Sequence, residues 1–339
     1  MRAMVLTSGA GFDQSGEPLV LQDLPRPVPG DGEILLQVLV CGVCHTELDE
    51  IEGRTPPPKY PVTPGHEIVG RVAELGPDCS RHEIGQRVGV GWIHSSSGRA
   101  DENISAAFVA TGRDVDGGYA DYFVVPERYA YPIPDVFSDA EAAPLLCAGA
   151  VGFRSLRLAN ISDGEVLGLT GFGGSGHLVL QLARYLYPEG RVFVFARSET
   201  ERAFALELGA DWSGDTSDAP PEPPHAIIDT TPAWKPMLAA LQCLRPGGRL
   251  VINAIRKESA DRHLMAEISY ERHLWQEKEI KSVANVTHQD IEEFLPIAAK
   301  IPLRVEVQRY RLENANQALT DLRAGHVRGA KVLMISATN

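Results

Sequence analysis

The first 147 residues show short apolar runs separated by clusters of glycine and proline. The runs EILLQVLV (33–40) and EIVGRVAELG (67–76) are rich in valine, isoleucine and leucine, which favours β-strands. Stretches such as RTPPPKYPVTPGHE lie between these runs and predict turns and loops. We therefore expect this part of the chain to be a β-rich domain with irregular loops.

After residue 148 the pattern changes to an alternation of apolar strands and amphipathic helices. EVLGLT precedes a helix, from Ser175 to about Tyr187, with apolar residues at helical spacing. RVFVFAR, HAIIDTT and RLVINAI are nearly continuous apolar runs, as expected for a parallel sheet covered on both faces. Ser198 and Glu201 have capping-box spacing at the start of another helix. This alternation predicts a doubly wound α/β domain.

The domain boundaries follow from these changes. A chain of 339 residues corresponds to about two domains. We expect residues 1–148 to form the first part of the β-rich domain and residues 149–286 to form the α/β domain, with EIKSVANV as its last strand. Residues 287–339 hold a helix (about 288–300), the strand VEVQRYRL, a helix (about 313–324) and the run AKVLMIS.

Composition excludes several classes of function. The net charge is -13 and no block of basic residues is present, so nucleic-acid binding is not expected. No apolar run approaches about 18 residues, and the first residues lack the pattern of a secretory signal, so we expect no membrane association. An odd number of cysteines, five, argues against a disulfide framework. We expect a cytoplasmic protein.

The sequence contains one glycine motif of the kind that binds phosphates. The pattern G-x-G-x-x-G follows the strand EVLGLT and begins a helix, which is the context that dinucleotide binding requires. Its residues are Gly171, Phe172, Gly173, Gly174, Ser175 and Gly176. The next strand ends in Arg197 and Ser198 rather than in an acidic residue, which favours the 2′-phosphate of NADP(H) over NAD(H).

The segment CGVCH raises a question that spacing alone leaves open. Cys41, Cys44 and His45 match a c-type haem attachment pattern, and the two cysteines could also form a redox dithiol or half of a zinc site. Two further segments carry metal-ligating side chains, His66 in PGHE and Cys147 in APLLCAGAVG. Cysteine, histidine and cysteine from separate segments can form a catalytic zinc site with an open fourth position.

Taken together, the motifs resemble those of the zinc-dependent alcohol dehydrogenases of the medium-chain dehydrogenase/reductase superfamily, in the same order and over nearly the whole chain. They are CGVCHTEL (41–48), PGHEIVGRV (64–72), VDGGYADYFVV (115–125), APLLCAGAVGFRSL (143–156), GFGGSG (171–176) and LRAGHVRGAKVL (322–333). The resemblance implies a Rossmann coenzyme-binding domain inserted in a β-rich GroES-like catalytic domain, which is built from both ends of the chain.

The resemblance also implies a role for individual residues. Cys44, His66 and Cys147 would be zinc ligands, Glu67 an alternate ligand, and Cys41 core packing. Glu47 would hold the ligand histidine, in line with the usual partners of metal-bound histidines. Thr46 would relay a proton from the substrate, and His45 and Arg328 would lie near the coenzyme pyrophosphate.

The chain also departs from the family pattern. No cysteine lies between Cys79 and Cys147, and Ser97 and Ser105 stand where two thiolates of a second, structural zinc are expected. Serine is a poor zinc ligand, so we predict one catalytic zinc per chain and no structural zinc. Asp49 replaces a histidine that passes the proton to solvent, so the onward path runs through Asp49 or His45, or is slow.

The expected function is hydride transfer between a nicotinamide coenzyme and a small primary alcohol or aldehyde, with zinc polarising the substrate oxygen. A zinc-free quinone or activated-alkene reductase on the same fold is the alternative, and the Cys/His/Cys set argues against it. A binding protein that kept the fold without turnover is a third possibility. We also expect a homodimer or a homotetramer.

Overall fold

The computed structural model describes residues 1–9, 11–12, 17–325 and 329–336. The strands, in chain order, are β1 (Arg2–Leu6), β2 (Leu19–Asp23), β3 (Glu33–Val43), β4 (Ile68–Leu75), β5 (Arg87–Val90), β6 (Ile93–Ser95), β7 (Val109–Ala110), β8 (Tyr122–Pro126), β9 (Ala130–Pro132), β10 (Val166–Thr170), β11 (Arg191–Phe195), β12 (Trp212–Gly214), β13 (Ala226–Asp229), β14 (Arg249–Ile252), β15 (Glu279–Ser282), β16 (Val307–Arg311) and β17 (Ala330–Met334). The α-helices are α1 (His45–Ile51), α2 (Asp139–Pro144), α3 (Ala150–Ala159), α4 (Gly176–Leu186), α5 (Glu199–Glu207), α6 (Trp234–Cys243), α7 (His288–Ala298) and α8 (Ala315–Arg323).

The chain divides into two compact units. Unit one consists of Met1–Cys147, Val286–Ala299 and Val305–Asn339, so it contains both ends of the chain. Unit two consists of Ala148–Asn285 and Lys300–Arg304.

Unit one is built on a mostly antiparallel sheet. Its strand order is β16-β17-β3-β4-β5-β9, and β8 also pairs with β3. The predicted strands 33–40 and 67–76 are confirmed as β3 and β4, which pair antiparallel through Val38 and Gly70. Valine, isoleucine and leucine side chains from β3, β4 and β5 form the core of this unit together with residues of α8. The β-rich prediction is therefore confirmed for this part of the chain.

Unit two contains a parallel sheet of six strands in the order β12-β11-β10-β13-β14-β15. Residues of β10 are fully buried, as the continuous apolar run predicted for a strand covered on both faces. Thr170, the last residue of β10, lies opposite Phe195 of β11 and Asp229 of β13. The strand order reverses between β10 and β13, and ligands of such sheets bind outside the carboxyl ends of the strands at this point. The doubly wound α/β prediction is confirmed.

The helices of unit two follow the predicted periodicity. Helix α4 buries Leu178, Val179 and Leu182 on the side that its apolar residues predicted. At the start of α5, Ser198 Oγ accepts a hydrogen bond from Glu201 N at 3.4 Å. None of the described helices has the length and apolar character needed to cross a membrane.

Candidate active site

Four side chains with metal-ligating atoms meet in unit one. The ligand atoms of Cys44, His66, Glu67 and Cys147 all lie within 4.8 Å of one another. The sequence had placed these residues in three segments that are up to about a hundred positions apart. The structure brings them to one place, with His66 and Glu67 buried and the two cysteines partly exposed.

Each segment presents its ligand at the end of a regular element. Cys44 is the N-cap residue between β3 and α1, with extended backbone. His66 and Glu67 directly precede β4. Cys147 lies in a π-helical turn, Leu145–Gly149, between α2 and α3. Such turns interrupt α-helices mostly at functional sites, because the extra residue per turn redirects a side chain.

Glu47 holds two of the four ligands in position. Its Oε2 accepts a hydrogen bond from Cys44 N at 2.8 Å, and its Oε1 lies 2.5 Å from His66 Nδ1. The Glu47 carboxylate is fully buried. Because Nδ1 is held by the carboxylate, the ring of His66 presents Nε2 to the cluster. Nε2 is buried, and among the described residues it has no hydrogen-bond partner.

Gly42 leaves the room that the Glu67 side chain needs. A Cβ atom at residue 42 would lie 1.8 Å from Glu67 Oε2 and 2.6 Å from its Cδ. Any larger residue at this position of β3 would displace the carboxylate from the cluster. The glycine in CGVC is thus part of the site, although it carries no ligand atom.

The charges of the cluster are strongly coupled. A hydrogen bond from the Cys147 thiol holds the pKa of Cys44 well below its usual range, and the same contact raises the pKa of Cys147. Burial lowers the pKa of His66, but the negative charges of Glu47 and Cys44 outweigh burial and raise it well above its usual value. Burial raises the pKa of Glu67, and the charge of Cys44 raises it further.

This donor set fits a zinc ion. Thiolate and imidazole are the ligands that zinc prefers, and catalytic zinc sites combine three protein ligands with an open position. Nε2 of His66 is buried and has no hydrogen-bond partner in the described part of the chain, so a metal ion would satisfy an atom that normally needs a partner. The Glu47 carboxylate on Nδ1 is the partner that metal-bound histidines usually have.

The residues that follow Cys44 occupy different sides of α1. Thr46 is buried, and its Oγ1 lies 3.7 Å from Cys44 Sγ, beside the cluster. His45 is exposed. Asp49 is buried, and its Oδ1 accepts a hydrogen bond from Arg54 Nε at 2.6 Å. The structure thus brings Thr46 to the ligand set and joins Asp49 to an arginine.

An aromatic side chain lies next to the cluster. The ring centroids of Trp92 and His66 are 6.2 Å apart, and Trp92 packs edge-on against Phe108 at 5.4 Å. The guanidinium of Arg113 lies 5.6 Å from the centre of the Trp92 ring. Ile93 belongs to the hydrophobic core of unit one, with 1% of its surface exposed. Trp92 therefore lies beside the ligand set, whereas its neighbour Ile93 packs in the core.

The glycine motif of unit two forms the turn between β10 and α4. Gly171 adopts a φ of +81°, which favours glycine, and a Cβ there would lie 2.8 Å from Thr230 Oγ1. Gly173, Gly174 and Ser175 follow, and α4 begins at Gly176. The backbone N–H groups of the first helical turn and its positive partial charge suit a phosphate.

A buried ion pair that sequence analysis missed stands beside this turn. The Asp229 carboxylate, at the end of β13, pairs with Lys257 Nζ. It also accepts hydrogen bonds from Thr170 Oγ1 at 2.6 Å and from Thr231 N at 3.0 Å. The pair joins the carboxyl ends of β10 and β13 to the segment after β14. No local pattern predicts it, because Lys257 lies 28 positions from Asp229.

Both halves of the chain match families of known proteins. A family model described as alcohol dehydrogenase GroES-like domain matches residues 30–135, and one described as zinc-binding dehydrogenase matches residues 174–300. The "Probable alcohol dehydrogenase AdhA" of Mycobacterium tuberculosis is 39% identical over 323 residues, which cover 92% of this chain and 91% of the relative. The chain belongs to the zinc-type alcohol dehydrogenases of the medium-chain dehydrogenase/reductase superfamily.

Other members of this family match over the same extent. An alcohol dehydrogenase of Geobacillus stearothermophilus is 30% identical over 345 residues, covering 96% of this chain and 99% of the relative. The solved structure of a cinnamyl alcohol dehydrogenase from Sorghum bicolor has a TM-score of 0.80 and 26% identity, with 98% of this chain and 97% of that chain covered. The predicted fold, a Rossmann domain together with a GroES-like domain, is confirmed.

Two of the residues expected near the coenzyme of this dehydrogenase lie together at the end of β11. Arg197 and Ser198 are exposed after β11, next to the first turn of α5. Arg202 Nη1 donates hydrogen bonds to the carbonyl oxygens of Ala196 and Arg197, both at 2.8 Å, so a second guanidinium lies at this strand end. Arg328 lies outside the described residues.

Ser97 and Ser105, which stand where two thiolates of a structural zinc are expected, each make a hydrogen bond within their own segment. Ser97 Oγ accepts from Arg99 N at 3.4 Å, and Ser105 Oγ accepts from Ala107 N at 3.1 Å. Both hydroxyls therefore serve local turns. Cys41 is fully buried in the core of unit one, which confirms the packing role expected for it.

Proposed function

We propose that this alcohol dehydrogenase uses one zinc ion per chain to interconvert small primary alcohols and aldehydes, with NADP(H) preferred to NAD(H). The convergence of Cys44, His66, Glu67 and Cys147 within 4.8 Å carries the proposal. Zinc held by these residues supplies Lewis-acid polarisation of the substrate oxygen, and a nicotinamide coenzyme supplies or accepts the hydride.

The chain's own residues would hold the metal and carry the proton of the alcohol. Cys44, His66 and Cys147 would hold the metal, with Glu67 as an alternate ligand and Glu47 fixing the ring of His66. The Thr46 hydroxyl would accept the proton of the alcohol, because it is the hydroxyl that lies beside the ligand set. The proton would then leave through His45, which is exposed, rather than through Asp49, whose carboxylate is buried on Arg54.

Unit one would be the catalytic domain and unit two the coenzyme-binding domain. Gly171, Gly173, Gly174, Ser175 and Gly176 would cradle the pyrophosphate, and Arg197 with Ser198 would receive the 2′-phosphate. A guanidinium and a hydroxyl at this strand end, where NAD-specific proteins carry a carboxylate, support the preference for NADP(H). Arg328 stays a prediction for the pyrophosphate.

The alternative of a zinc-free quinone or alkene reductase is not favoured, since that chemistry has no use for a joined Cys/His/Cys set. The homodimer or homotetramer also stays a prediction, which light scattering after size-exclusion chromatography would test.

Metal content is the direct test. Elemental analysis should give about one zinc per wild-type chain, and Cys147→Ser should lose most of that zinc together with activity. Cys79→Ser is the matched control, because the Cys79 thiol donates to the Glu33 carbonyl away from the cluster. Zinc that stays bound in Cys147→Ser would refute the ligand set, and two zincs per chain would refute the single site.

A panel of alcohols and aldehydes with both coenzymes, followed by nicotinamide absorbance, tests the substrate class and the coenzyme preference.

A further inference from the structure

One buried carboxylate beside the ligand set has no role in the chemistry described so far. Glu50 is 1% exposed, and its Oε1 is buried without a hydrogen-bond partner among the described residues. Burying a carboxylate oxygen without a donor costs folding free energy. Exceptions of this kind are expected at functional or strained sites.

Helix geometry directs this carboxylate toward the ligand set. Successive residues of an α-helix are about 100° apart around its axis, so Glu50 lies about 40° from Thr46, on the strip between Thr46 and Glu47. Thr46 and Glu47 both contact members of the cluster. Side chains of a helix lean toward its N-terminus, which brings the Glu50 carboxylate back toward these two residues.

The electrostatic surroundings agree with that direction. Burial raises the pKa of Glu50, and the charge of Glu47 raises it further, whereas the charges of His66 and Arg113 lower it. These neighbours lie at the cluster and next to Trp92, whose ring is 6.2 Å from that of His66. The Trp92 indole Nε1 is a second buried polar atom on this side, and it too lacks a partner in the described part of the chain.

The charges nearby select the kind of group that Glu50 can bind. Arg113 is already paired with Asp114 through two contacts, at 2.9 and 3.0 Å, so it offers little to an anionic substrate. A carboxylate oxygen needs a donor, and a neutral hydroxyl supplies one without adding a charge to a buried site.

We propose that Glu50 accepts a hydrogen bond from a second hydroxyl group of the substrate, so that the enzyme prefers diols and hydroxyaldehydes to simple alcohols and aldehydes. This proposal rests on the proposed function, because it requires an alcohol to enter beside the ligand set. It narrows the substrate class and adds Glu50 as a specificity-determining residue.

Binding tests the proposal without relying on turnover. Dissociation constants of 1,3-propanediol, 1,4-butanediol and 1,5-pentanediol, and of the monoalcohol of each length, are measured by ligand-observed NMR on the zinc-loaded full chain. A hydrogen bond contributes about 0.5–3 kcal/mol net, which corresponds to about twofold to a hundredfold in affinity. We expect the best diol to bind at least about tenfold more tightly than its monoalcohol, and Glu50→Leu to abolish this ratio.

Two further variants control the experiment. Glu50→Gln keeps an acceptor oxygen and should retain part of the diol preference. Glu52→Gln, two residues further and paired with Arg54 and Arg323, should leave the ratio unchanged. Glu50→Leu should melt no lower than wild type, since it replaces a buried carboxyl group, whose Oε1 has no hydrogen-bond partner among the described residues, by an apolar side chain of similar size.

The outcomes separate the two proposals. A wild-type diol preference below about twofold, or an equal preference in wild type and Glu50→Leu, overturns the role of Glu50. If the preference depends on Glu50 but no alcohol or aldehyde is turned over with either coenzyme, the proposed function fails and the hydroxyl site stands.

Discussion

Glu102 is the residue that joins residues 93–110 of unit one to helix α7. The side chain is fully buried, and its oxygens accept four hydrogen bonds. Oε1 accepts from the backbone N of His288 at 2.6 Å and lies 2.5 Å from His288 Nδ1. Oε2 accepts from Gly98 N at 3.1 Å and from the Tyr129 hydroxyl at 3.0 Å. Segment 93–110 should therefore open when Glu102 is replaced by alanine.

The magnitude follows from the four contacts. A hydrogen bond to a charged group contributes about 1.5–3 kcal/mol net, which would give roughly 6–12 kcal/mol if the contacts were additive. They are not additive, because they share one carboxylate and because water can enter the opened segment. Substitutions that break a buried hydrogen-bond network fall at the upper end of single-mutant effects, about 3–5 kcal/mol. We expect Glu102→Ala to lower the free energy of local opening by this smaller amount.

Amide hydrogen exchange measures that quantity directly, residue by residue. The amides of Gly98 and His288 donate to Glu102 and are the reporters. A loss of about 3–5 kcal/mol corresponds to exchange that is about two to three orders of magnitude faster. Tyr129→Phe removes one of the four contacts and should accelerate exchange about tenfold or less.

The control is Glu83→Ala, which removes an exposed carboxylate from the same unit and should change stability by less than about 0.5 kcal/mol. If the amides of residues 96–104 exchange at the wild-type rate in Glu102→Ala, the carboxylate does not hold the segment. If exchange accelerates equally throughout unit one, Glu102 supports the whole unit rather than this segment, and the reasoning is also wrong.

Three shorter predictions concern the ligands, the coenzyme and pH. Glu47→Ala should weaken zinc binding by about 10–100-fold in chelator competition, and unchanged affinity would mean that packing alone orients His66. Arg197→Ala should raise the KM for NADPH by about tenfold and leave that for NADH nearly unchanged, whereas equal effects would exclude contact with a 2′-phosphate. Burial lowers the pKa of His94, so the unfolded chain binds more protons below about pH 6.5, and stability should fall as the pH drops below that value. Urea denaturation at pH 7 and pH 5.5 should show that His94→Gln loses less unfolding free energy between the two pH values than the wild type does. An equal loss would mean that groups other than His94 cause the pH dependence.

The sequence predicts the fold well because its two units have different hydrophobic patterns. Unit one shows short strand-like runs between turns, and unit two alternates apolar strands with amphipathic helices. Continuous apolar runs such as VLGLT that alternate with amphipathic helices indicate strands covered on both faces, so this pattern predicts the parallel sheet. The two cysteines of CGVCH have different environments because the strand ends between them. Cys41 lies within strand β3 and points into the core, whereas Cys44 lies past its end as the cap of α1. Spacing alone does not distinguish these environments, because it depends on where the strand ends.

The contacts that complete the site could not be predicted in the same way. Glu102 and His288 are 186 positions apart, and only the assembled unit brings them together. The π-helical turn at Cys147 follows a helix with ordinary capping, so nothing in the local pattern indicates it. Glu50 follows Asp49 in an acidic segment that is typical of a solvated helix face. Glu50 is buried because α1 packs inside unit one. The sequence of a seven-residue helix is too short to predict which of its faces is buried.

Two buried carboxylates of unit one share one arrangement, and Glu50 departs from it. Glu47 and Glu102 are both fully buried, and each joins a histidine Nδ1 to a backbone N–H at the start of a helix. Charge-assisted donors from two directions make burial of these groups tolerable. Glu50 is buried to the same degree, yet its Oε1 receives no donor from the described residues. A chain that satisfies two such groups so fully has no structural need for the third, and the simplest explanation of Glu50 is a donor that arrives with the substrate.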